Sequence, residues 1–405
     1  MKDPLNAISV VVIGGCGHVG LPLGIKLALA GAEVTLIDIN DDTVRSVNAG
    51  QMPFVEEGGE NQLREALDRG LNATTDRTPC ATAAVCVFVT GTPIDEHLKP
   101  KLSALNDVLD QYVPHVGADA LLVMRSTLFP GTMTYLRERI RRTRPDLRLA
   151  FCPERVAQGK ALKEIASLPQ IVSAFDDDAF QEAYELFAAL APSIIRLTPM
   201  EAELTKVMAN AWRYIEFAIA NQFYVIAESN GVDFQRVYQA LRYEYPRAQG
   251  YKAPGFAGGP CLFKDTMQLA SFDEQQFHLG HTAMLVNEGL ASFAVKRLSE
   301  KMDHGLQGRT IGILGMTFKT GDDDTRNSLS FRVRKDLDFA GARVLCHDPF
   351  FRDGPSLDEV LSQAEGFVLC TPHKEYQGLD ISKPVVDVWG VLHKSEIEIL
   401  PGREE

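Results

Sequence analysis

The sequence predicts an α/β protein with two doubly wound parallel sheets, joined by a central helical domain that contains one long helix. Three observations support this fold class. The chain begins with an apolar run, a glycine-rich turn and a helical segment. A helical repeat then extends over Glu201–Ser229, and alternating strands and helices return near Gln307. Strands buried on both faces read as continuous apolar runs, whereas helices repeat their apolar residues every three or four positions.

The opening segment has the order typical of a dinucleotide-binding, Rossmann-like unit. The β-branched run Ile8–Gly14 leads into a Gly-x-Gly-x-x-Gly turn and the helical segment Leu21–Ala30. A second apolar run, Val34–Ile37, ends at Asp38. The glycines let the backbone approach a pyrophosphate at the helix N-terminus, and the acid binds both ribose hydroxyls and repels a 2′-phosphate. NAD is therefore predicted rather than NADP, bound by Gly15, Gly17, His18, Val19, Gly20 and Asp38.

The rest of the first domain, placed at residues 1–198, contains strand candidates that end in polar loops. Three of them lead into loops with small or charged residues: Ala84–Thr90 into Gly91-Thr-Pro93, Ala120–Met124 into Arg125-Ser-Thr127, and Leu149–Cys152 into Pro153-Glu-Arg155. The loops at the carboxyl ends of parallel strands line the ligand crevice, so these loops are expected to face a ligand. Gln170–Phe175, a helix near Asp177–Leu190 and a strand at Ile194–Leu197 complete the domain.

The middle of the chain, placed at residues 199–300, is predicted to be helical with one interruption at Tyr245–Pro260. The stretch Glu201–Ser229 is longer than a typical globular helix, so it is expected to connect domains or to pack against another subunit. Its apolar stripe needs cover, and a homodimer is expected. Lys206 and Asn210 lie four residues apart and therefore share a helix face.

The last part, placed at residues 301–405, is predicted to be a smaller Rossmann-like domain. Its strand candidates are Arg309–Leu314, Arg343–Cys346, Phe367–Thr371 and Pro384–Val388. His347 and Asp348 follow the second of these strands as a strand-end turn, to which the sequence assigns no function.

Cys261 lies in a glycine-rich run, Gly258-Gly-Pro-Cys261-Leu-Phe-Lys264-Asp265. A thiolate is a nucleophile, and a nearby cation favours it. Together with a hydride acceptor, such a thiol can oxidise an aldehyde through a thioester. The alternative is an inert, buried cysteine in a turn.

Composition limits the function classes. The 405-residue chain is 45% hydrophobic and 23% charged, and it carries a net charge of −13, which argues against general nucleic-acid or anionic-membrane binding. Seven cysteines without framework spacing are typical of a reducing cytoplasm, and no signal peptide is predicted from the opening residues. No Cys/His group has the spacing of metal ligands, so no metal is predicted.

Seven motifs in one order together resemble the UDP-glucose/GDP-mannose dehydrogenase family over nearly the whole chain. They are Gly15-x-Gly17-His-Val-Gly20, Gly91-Thr-Pro93, Ser126-Thr-Leu-Phe-Pro-Gly-Thr132, Cys152-Pro-Glu154-Arg155, Glu203-Leu-Thr-Lys206 with Asn210, Gly258-Gly-Pro-Cys261-Leu-Phe-Lys-Asp265, and Phe318-Lys319 with Asp324-Thr-Arg326.

The resemblance implies two successive NAD-dependent oxidations at C6 of a nucleotide sugar, without release of the aldehyde. The residue that resembles the family nucleophile is Cys261, which would form a thiohemiacetal and then a thioester. The resemblance further implies catalytic roles for Lys206, Asn210, Asp265, Glu154 and Thr127. It implies cofactor contacts for Thr92, Thr127 and Lys264, the last of which could instead favour the thiolate or contact substrate. Substrate contacts are implied for Glu154, Arg155, Lys206, Asn210, Arg247, Tyr251, Gly258, Lys319 and Arg326.

Simpler interpretations of the same residues stay open at this point. In one, Lys206 and Asn210 form a solvated pair. In another, Glu154 and Arg155 form a surface ion pair, and in a third Lys319 and Arg326 are only surface residues of helices in the last domain.

Tyr245-Pro246-Arg247 resembles the UDP-N-acetylhexosamine branch, whereas the pair Lys264-Asp265 resembles UDP-glucose dehydrogenases. GDP-mannose oxidation and a non-catalytic protein that binds NAD and a sugar nucleotide are the alternatives. A short-chain epimerase or reductase would need Tyr-x-x-x-Lys, which the chain lacks.

Overall fold

The computed structural model describes residues 5–6, 8–95, 99–303, 305–351, 354–392 and 395–400. The chain forms two compact units, Met1–Ala209 and Asn210–Glu405. Each unit is built on one sheet with helices packed against it, which confirms the predicted α/β class.

The first unit contains an eight-stranded sheet in the order β3-β2-β1-β4-β5-β6-β7-β8. The strands are β1 Ser9–Ile13, β2 Glu33–Ile37, β3 Asn72–Thr74, β4 Val85–Phe88, β5 Leu121–Met124, β6 Arg148–Phe151, β7 Gln170–Ala174 and β8 Ile194–Leu197. The helices are α1 Gly20–Leu29, α2 Asp41–Asn48, α3 Gly59–Asp68, α4 Leu102–Tyr112, α5 Thr132–Thr143, α6 Ala161–Ile165 and α7 Asp177–Ala188. Two clusters of buried apolar side chains pack around this sheet.

Two features of this sheet depart from the sequence prediction. The short strand β3 was not predicted, since three residues carry too little apolar pattern to be recognised. β7 pairs with β6 antiparallel, so the sheet is not wholly parallel, while β8 pairs with β7 parallel. The strand order nevertheless reverses at β1, which has β2 on one side and β4 on the other. Ligands of open α/β sheets bind at such a point.

Helix α8, Pro199–Ser229, runs through the division between the units. The helices that follow are α9 Phe234–Arg242, α10 Leu262–Phe272, α11 His278–Lys301, α12 Ser330–Phe339 and α13 Leu357–Gln363. The prediction of a single interruption in the helical region was wrong, because the chain also turns at residues 230–233 and 273–277. Gly231 (φ 71°) ends the first helix, and Glu274 and Gln275 adopt positive φ in the second turn.

The second unit contains a wholly parallel, four-stranded sheet in the order β10-β9-β11-β12. Its strands are β9 Thr310–Leu314, β10 Arg343–His347, β11 Gly366–Leu369 and β12 Val385–Asp387. One apolar cluster joins this sheet to α11 and to Phe256 of the segment before Cys261. Among the described residues, no helix is both long and apolar enough to cross a membrane.

Candidate active site

The glycine turn of the first unit leaves room for a ligand at one glycine and requires close packing at another. A Cβ on Gly20 would lie 2.5 Å from the Gly14 carbonyl oxygen, so the start of α1 approaches the turn as only glycine allows. A Cβ on Gly17 would meet nothing closer than 3.9 Å. The N-cap residue of α1 is Val19, whose apolar side chain cannot cap the helix. The turn therefore offers backbone N–H groups and space, which is what a pyrophosphate needs.

Asp38 lies beside this turn, at the end of β2. Its Oδ2 accepts a hydrogen bond from the Cys16 backbone N at 3.1 Å, and its Oδ1 accepts one from the Asn40 N at 3.3 Å. Burial, and then the charge of Asp38, raise the pKa of the Cys16 thiol to about 12, so Cys16 is not a nucleophile. His18 belongs to this turn, and its Nε2 lies 3.2 Å from the Gln158 Nε2. The turn and the acid together fit the pyrophosphate and ribose of NAD.

Glu154 is held by a buried arginine that the sequence prediction did not single out. Arg125 is 1% exposed, donates a hydrogen bond to Glu154 Oε2, and donates to the Cys152 carbonyl at 3.2 Å. The other carboxylate oxygen, Oε1, accepts hydrogen bonds from the backbone N atoms of Arg155 and Val156, each at 2.6 Å. The alternative of a surface ion pair between Glu154 and Arg155 is therefore wrong. Arg125 could have been suspected from its place at a strand end, beside the polar residues Ser126 and Thr127.

The pKa of Glu154 lies below its ordinary value. Burial raises this pKa, but the charge of Arg125, the backbone hydrogen bond from Val156 and the charge of Lys206 together outweigh it. Lys206 therefore lies within electrostatic range of Glu154. The carboxylate is ionised near neutral pH and acts as a fixed acceptor rather than as a strong base.

Two further contacts order the loops of the first unit. The Thr92 hydroxyl donates to the Thr127 carbonyl oxygen at 2.8 Å, which joins the loops after β4 and β5. Glu203, fully buried on α8, accepts hydrogen bonds from the backbone N atoms of Gly131 and Met133, both at 2.7 Å, at the start of α5. Burial raises the pKa of Glu203, and these two hydrogen bonds lower it only in part. Glu203 lies one helical turn before Lys206, so the same helix segment supports the Thr127 loop and carries the lysine.

In the second unit, Cys261 is the exposed member of the seven cysteines, and the other six are buried. It is the N-cap residue of α10, and its carbonyl oxygen accepts a hydrogen bond from the Asp265 N at 2.9 Å. The thiol therefore lies at the positive end of a helix, which favours a thiolate. The alternative of a buried cysteine is wrong.

The first turn of α10 brings three predicted residues together. The Asn210 Nδ2 donates a hydrogen bond to Asp265 Oδ2 at 2.6 Å. The Lys264 Nζ lies 2.9 Å from Asp265 Oδ1 as an ion pair, without the alignment of a hydrogen bond. The Asp265 side chain has no exposed surface, and Asn210 is 6% exposed. The alternative of a solvated Lys206–Asn210 pair is therefore wrong for Asn210, which is buried against Asp265.

Arg326 is held close to Cys261 by its own loop. Its Nε lies 3.0 Å from both Asp324 carboxylate oxygens, and its Nη2 lies 2.7 Å from Asp324 Oδ2. The pKa of Arg326 is raised first by the hydrogen bond to Asp324, against the effect of burial, and charge on Cys261 raises it further. The guanidinium and the thiol therefore lie within electrostatic range of each other.

The remaining predicted residues of this unit lie at varied distances from this group. Gly258 lies against the Arg326 loop, since a Cβ there would be 3.0 Å from the Asn327 carbonyl oxygen. Lys319 is half-buried near Asp322, where burial raises the pKa of the Asp322 carboxyl and the charge of Lys319 offsets this only in part. Arg247 is exposed and donates to the Tyr245 hydroxyl at 3.5 Å. Burial raises the pKa of the Tyr251 hydroxyl to about 12, and among the described residues this hydroxyl has no hydrogen-bond partner. In the described ranges no group of three or more His, Cys, Asp or Glu side chains could hold a metal ion.

Comparison with known proteins identifies the family. Residues 8–191 match the NAD binding domain of the UDP-glucose/GDP-mannose dehydrogenase family, residues 200–289 its central domain, and residues 312–394 its UDP binding domain. A UDP-N-acetyl-D-mannosamine dehydrogenase of Pyrococcus horikoshii is 30% identical over 91% of both chains. One from Methanocaldococcus jannaschii is 28% identical over 91% of this chain and 87% of its own.

Among solved structures, a UDP-glucose dehydrogenase of Pyrobaculum islandicum superimposes with a TM-score of 0.88 at 28% identity, covering 96% of this chain and 95% of its own. The chain therefore belongs to the UDP-glucose/GDP-mannose dehydrogenase family and is an NAD-dependent nucleotide-sugar dehydrogenase.

Proposed function

We propose that the protein oxidises the C6 alcohol of a UDP-N-acetylhexosamine to a carboxylate, in two oxidations that pass through a thioester on Cys261. The observation that carries this proposal is the position of Cys261, an exposed thiol at the start of α10 with Lys264, Asp265 and Arg326 around it. Binding of a nucleotide sugar alone needs no nucleophile, so this arrangement favours catalysis over a non-catalytic binding protein.

NAD would be held by the glycine turn and Asp38, and when bound it accepts the hydride of each oxidation. In the first oxidation the C6 carbon loses a hydride and its hydroxyl loses a proton, and negative charge develops on the oxygen. Lys206 and Asn210 are proposed to stabilise this charge as fixed donors. The Cys261 thiolate then adds to the aldehyde carbon and forms a C–S bond, which gives a thiohemiacetal.

The second oxidation removes a hydride and a proton from the thiohemiacetal and leaves a thioester. Water adds to the thioester carbonyl, the C–S bond breaks, and the carboxylate and the Cys261 thiol are released. Asp265 is proposed to position a water molecule or to take up a proton. Glu154, held as an ionised acceptor by Arg125, is proposed to orient the hydrolytic water together with Thr127.

The nucleotide half of the substrate is proposed to bind the C-terminal domain, through Lys319 and Arg326. Arg155, Arg247, Tyr251 and Gly258 are retained as proposed substrate contacts, and Thr92, His18 and Lys264 as proposed cofactor contacts. The division into three domains at residues 1–198, 199–300 and 301–405 is also a proposal.

A UDP-N-acetylhexosamine is proposed as substrate because the two archaeal relatives above, each matched over 91% of this chain, are UDP-N-acetyl-D-mannosamine dehydrogenases. UDP-glucose is the second candidate, favoured by the Lys264–Asp265 pair and by the likeness to the Pyrobaculum islandicum enzyme.

The purified protein is tested with NAD and UDP-N-acetylmannosamine, UDP-N-acetylglucosamine, UDP-glucose or GDP-mannose, with NADH absorbance as the measurement. We expect two NADH per sugar with the N-acetylhexosamine substrate, and no uronate from Cys261→Ser, because serine is a far weaker nucleophile. Uronate formation by Cys261→Ser at the wild-type rate would exclude the thioester. Turnover of UDP-glucose alone would reverse the order of the two substrate candidates.

The apolar stripe on α8 supports a homodimer. Trp212, Ile219, Phe223 and Ile226 lie at helical spacing and are 60%, 43%, 47% and 52% exposed. A second copy of the chain is proposed to cover this stripe, since exposed apolar stripes of this length mark interfaces. Sedimentation equilibrium is expected to give a dimer for the wild type and monomers for Phe223→Asp. A wild-type monomer at micromolar concentration would contradict the proposal.

A further inference from the structure

We propose that Asn221 and Asn287 are positioning residues for the nucleophile: a buried pair of carboxamides that holds the backbone at Gly255 and thereby sets the place of the Cys261 thiol. This inference rests on the proposed role of Cys261. Neither asparagine is in the family motifs that the sequence displays, and both are fully buried.

Asn221 on α8 binds the backbone of Gly255 in both directions. The Gly255 N donates to Asn221 Oδ1 at 2.8 Å, and the Asn221 Nδ2 donates to the Gly255 carbonyl oxygen at 3.0 Å. The Asn221 Nδ2 also donates to Asn287 Oδ1 at 2.9 Å, and the Asn287 Nδ2 donates to the Tyr214 carbonyl oxygen at 3.0 Å. Both donors and the acceptor of the Asn221 amide are thus used, so Asn287 fixes which way that amide faces.

The opposite side of Gly255 is closed by an aromatic ring. A Cβ on Gly255 would lie 2.1 Å from an atom of the Trp389 ring, so glycine alone fits between Trp389 and Asn221. The Trp389 Nε1 in turn donates to the Cys370 carbonyl oxygen at 3.0 Å. Gly255 is therefore held between the long helix and the C-terminal sheet.

The segment is held again just before Cys261. The Gly259 N donates to the Asn327 carbonyl oxygen at 3.0 Å, and Asn327 adopts a positive φ of 53°. Between the two attachments, Phe256 and Ala257 are buried at 5% and 4% exposure, and after them α10 begins. With both ends and the middle fixed, little freedom remains for the thiol. The Asn327 contact alone restrains one end, so loss of the Asn221 contact is expected to let the segment shift.

The decisive variant is Asn221→Asp, which keeps the size of the side chain. It places a carboxylate oxygen against the Gly255 carbonyl and Asn287 Oδ1, where the Asn221 amide donated hydrogen bonds. The matched control is Asn230→Asp, an exposed asparagine at the end of the same helix whose Nδ2 donates to the Ile226 carbonyl at 2.8 Å.

The first readout is the rate of iodoacetamide reaction with Cys261 across pH, by mass spectrometry, with Cys261→Ser as background. The six other thiols are buried, so the native protein reports this one. The second readout is NADH per sugar and uronate formation, with released aldehyde trapped by hydroxylamine only after the protein has been removed. In Asn221→Asp we expect an altered alkylation rate profile and uronate formation slowed about tenfold to a hundredfold, with trapped aldehyde and little change in KM. Asn230→Asp is expected to match the wild type.

An alkylation profile in Asn221→Asp that equals the wild type overturns the proposal, whether or not activity falls. If Asn221→Asp does not fold, Asn287→Ser is read in the same way, because it removes only the partner that orients Asn221. A wild-type rate of uronate formation by Cys261→Ser would instead defeat the proposed function, and the alkylation result would still decide whether the asparagines place the thiol.

Discussion

Both sheets of this protein have a glycine turn that is capped by an acid, but the surroundings of the acid differ between them. In the first, Gly14 follows β1, and Asp38, directly after β2, accepts a hydrogen bond from the Cys16 N. In the second, Gly315 follows β9, and Asp348, directly after β10, accepts hydrogen bonds from the backbone N atoms of Met316 and Thr317 at 2.6 and 2.9 Å. In each sheet an acid at the end of the neighbouring strand caps the glycine turn.

The difference lies in what surrounds the acid. Asp38 is half-buried, and the exposed side chain of Ile39 follows it. The Asp348 side chain has no exposed surface, and the His373 Nε2 lies 3.0 Å from its Oδ2. The Gly321 N donates to His373 Nδ1, which leaves Nε2 as the nitrogen that faces Asp348 as a donor. The first acid can accept hydrogen bonds from the hydroxyls of a ribose, whereas the second already uses its oxygens to hold its own loop.

The largest expected effect comes from removing the charge of the sealed acid. In Asp348→Asn, the new NH₂ group must face either the Met316 and Thr317 amides or the Phe350 amide, all of which are donors. We expect the free energy of unfolding of the second unit to fall by about 3 to 5 kcal/mol. Tryptophan fluorescence in urea measures it, since Trp212 and Trp389 both belong to that unit.

The matched variant in the first unit, Asp38→Asn, is expected to change the free energy of unfolding by less than about 1 kcal/mol, measured by circular dichroism. Equal losses of unfolding free energy in the two variants would mean that the greater burial of Asp348 has no effect on stability.

An effect of intermediate size is expected when the pH is lowered. Burial alone would raise the pKa of Asp348, but hydrogen bonds from His373 and the Thr317 amide outweigh it and lower the pKa from 3.8 to about 2. Because the folded pKa is depressed, the stabilisation is present above the ordinary pKa and is lost as pH falls through the folded value. The wild-type advantage over Asp348→Asn is expected to shrink by about 2 kcal/mol between pH 5 and pH 2, measured by urea unfolding at each pH. A constant difference across this range would show that Asp348 is not ionised in the folded protein.

A smaller effect than that of low pH is expected on cofactor choice at Asp38. In Asp38→Asn, repulsion of a 2′-phosphate is lost and a charged hydrogen-bond acceptor for the ribose becomes a neutral one. The ratio of kcat/KM for NAD to that for NADP is expected to fall about tenfold or more. Asp348→Asn, assayed at a temperature where it is folded, is the control and should keep the wild-type ratio. An unchanged ratio in Asp38→Asn would remove Asp38 from the determinants of NAD selectivity.

Local pattern carried much of the fold and part of the site. The apolar runs predicted β1 and β5 to within one residue, because parallel strands buried on both faces leave a continuous signal. The place of Arg125 at a strand end indicated a polar role, but the sequence does not show that this side chain is 1% exposed and paired with Glu154. The sequence did not reveal Asn221 and Asn287 either, since a carboxamide in a helical repeat gives the same pattern whether it faces solvent or another amide.

The sequence by itself determined the order of the two sheets, the glycine turn with its acid, and the glycine-rich run that carries Cys261. These depend on contacts within a few residues, where backbone freedom and strand periodicity act. Only the tertiary structure decided that Asp38 stays open while Asp348 is sealed by His373, that Cys261 is exposed while six thiols are buried, and that Asn221 holds Gly255. Burial and hydrogen-bond partners are contributed by residues far away in the chain, and they set the pKa and the freedom of each group.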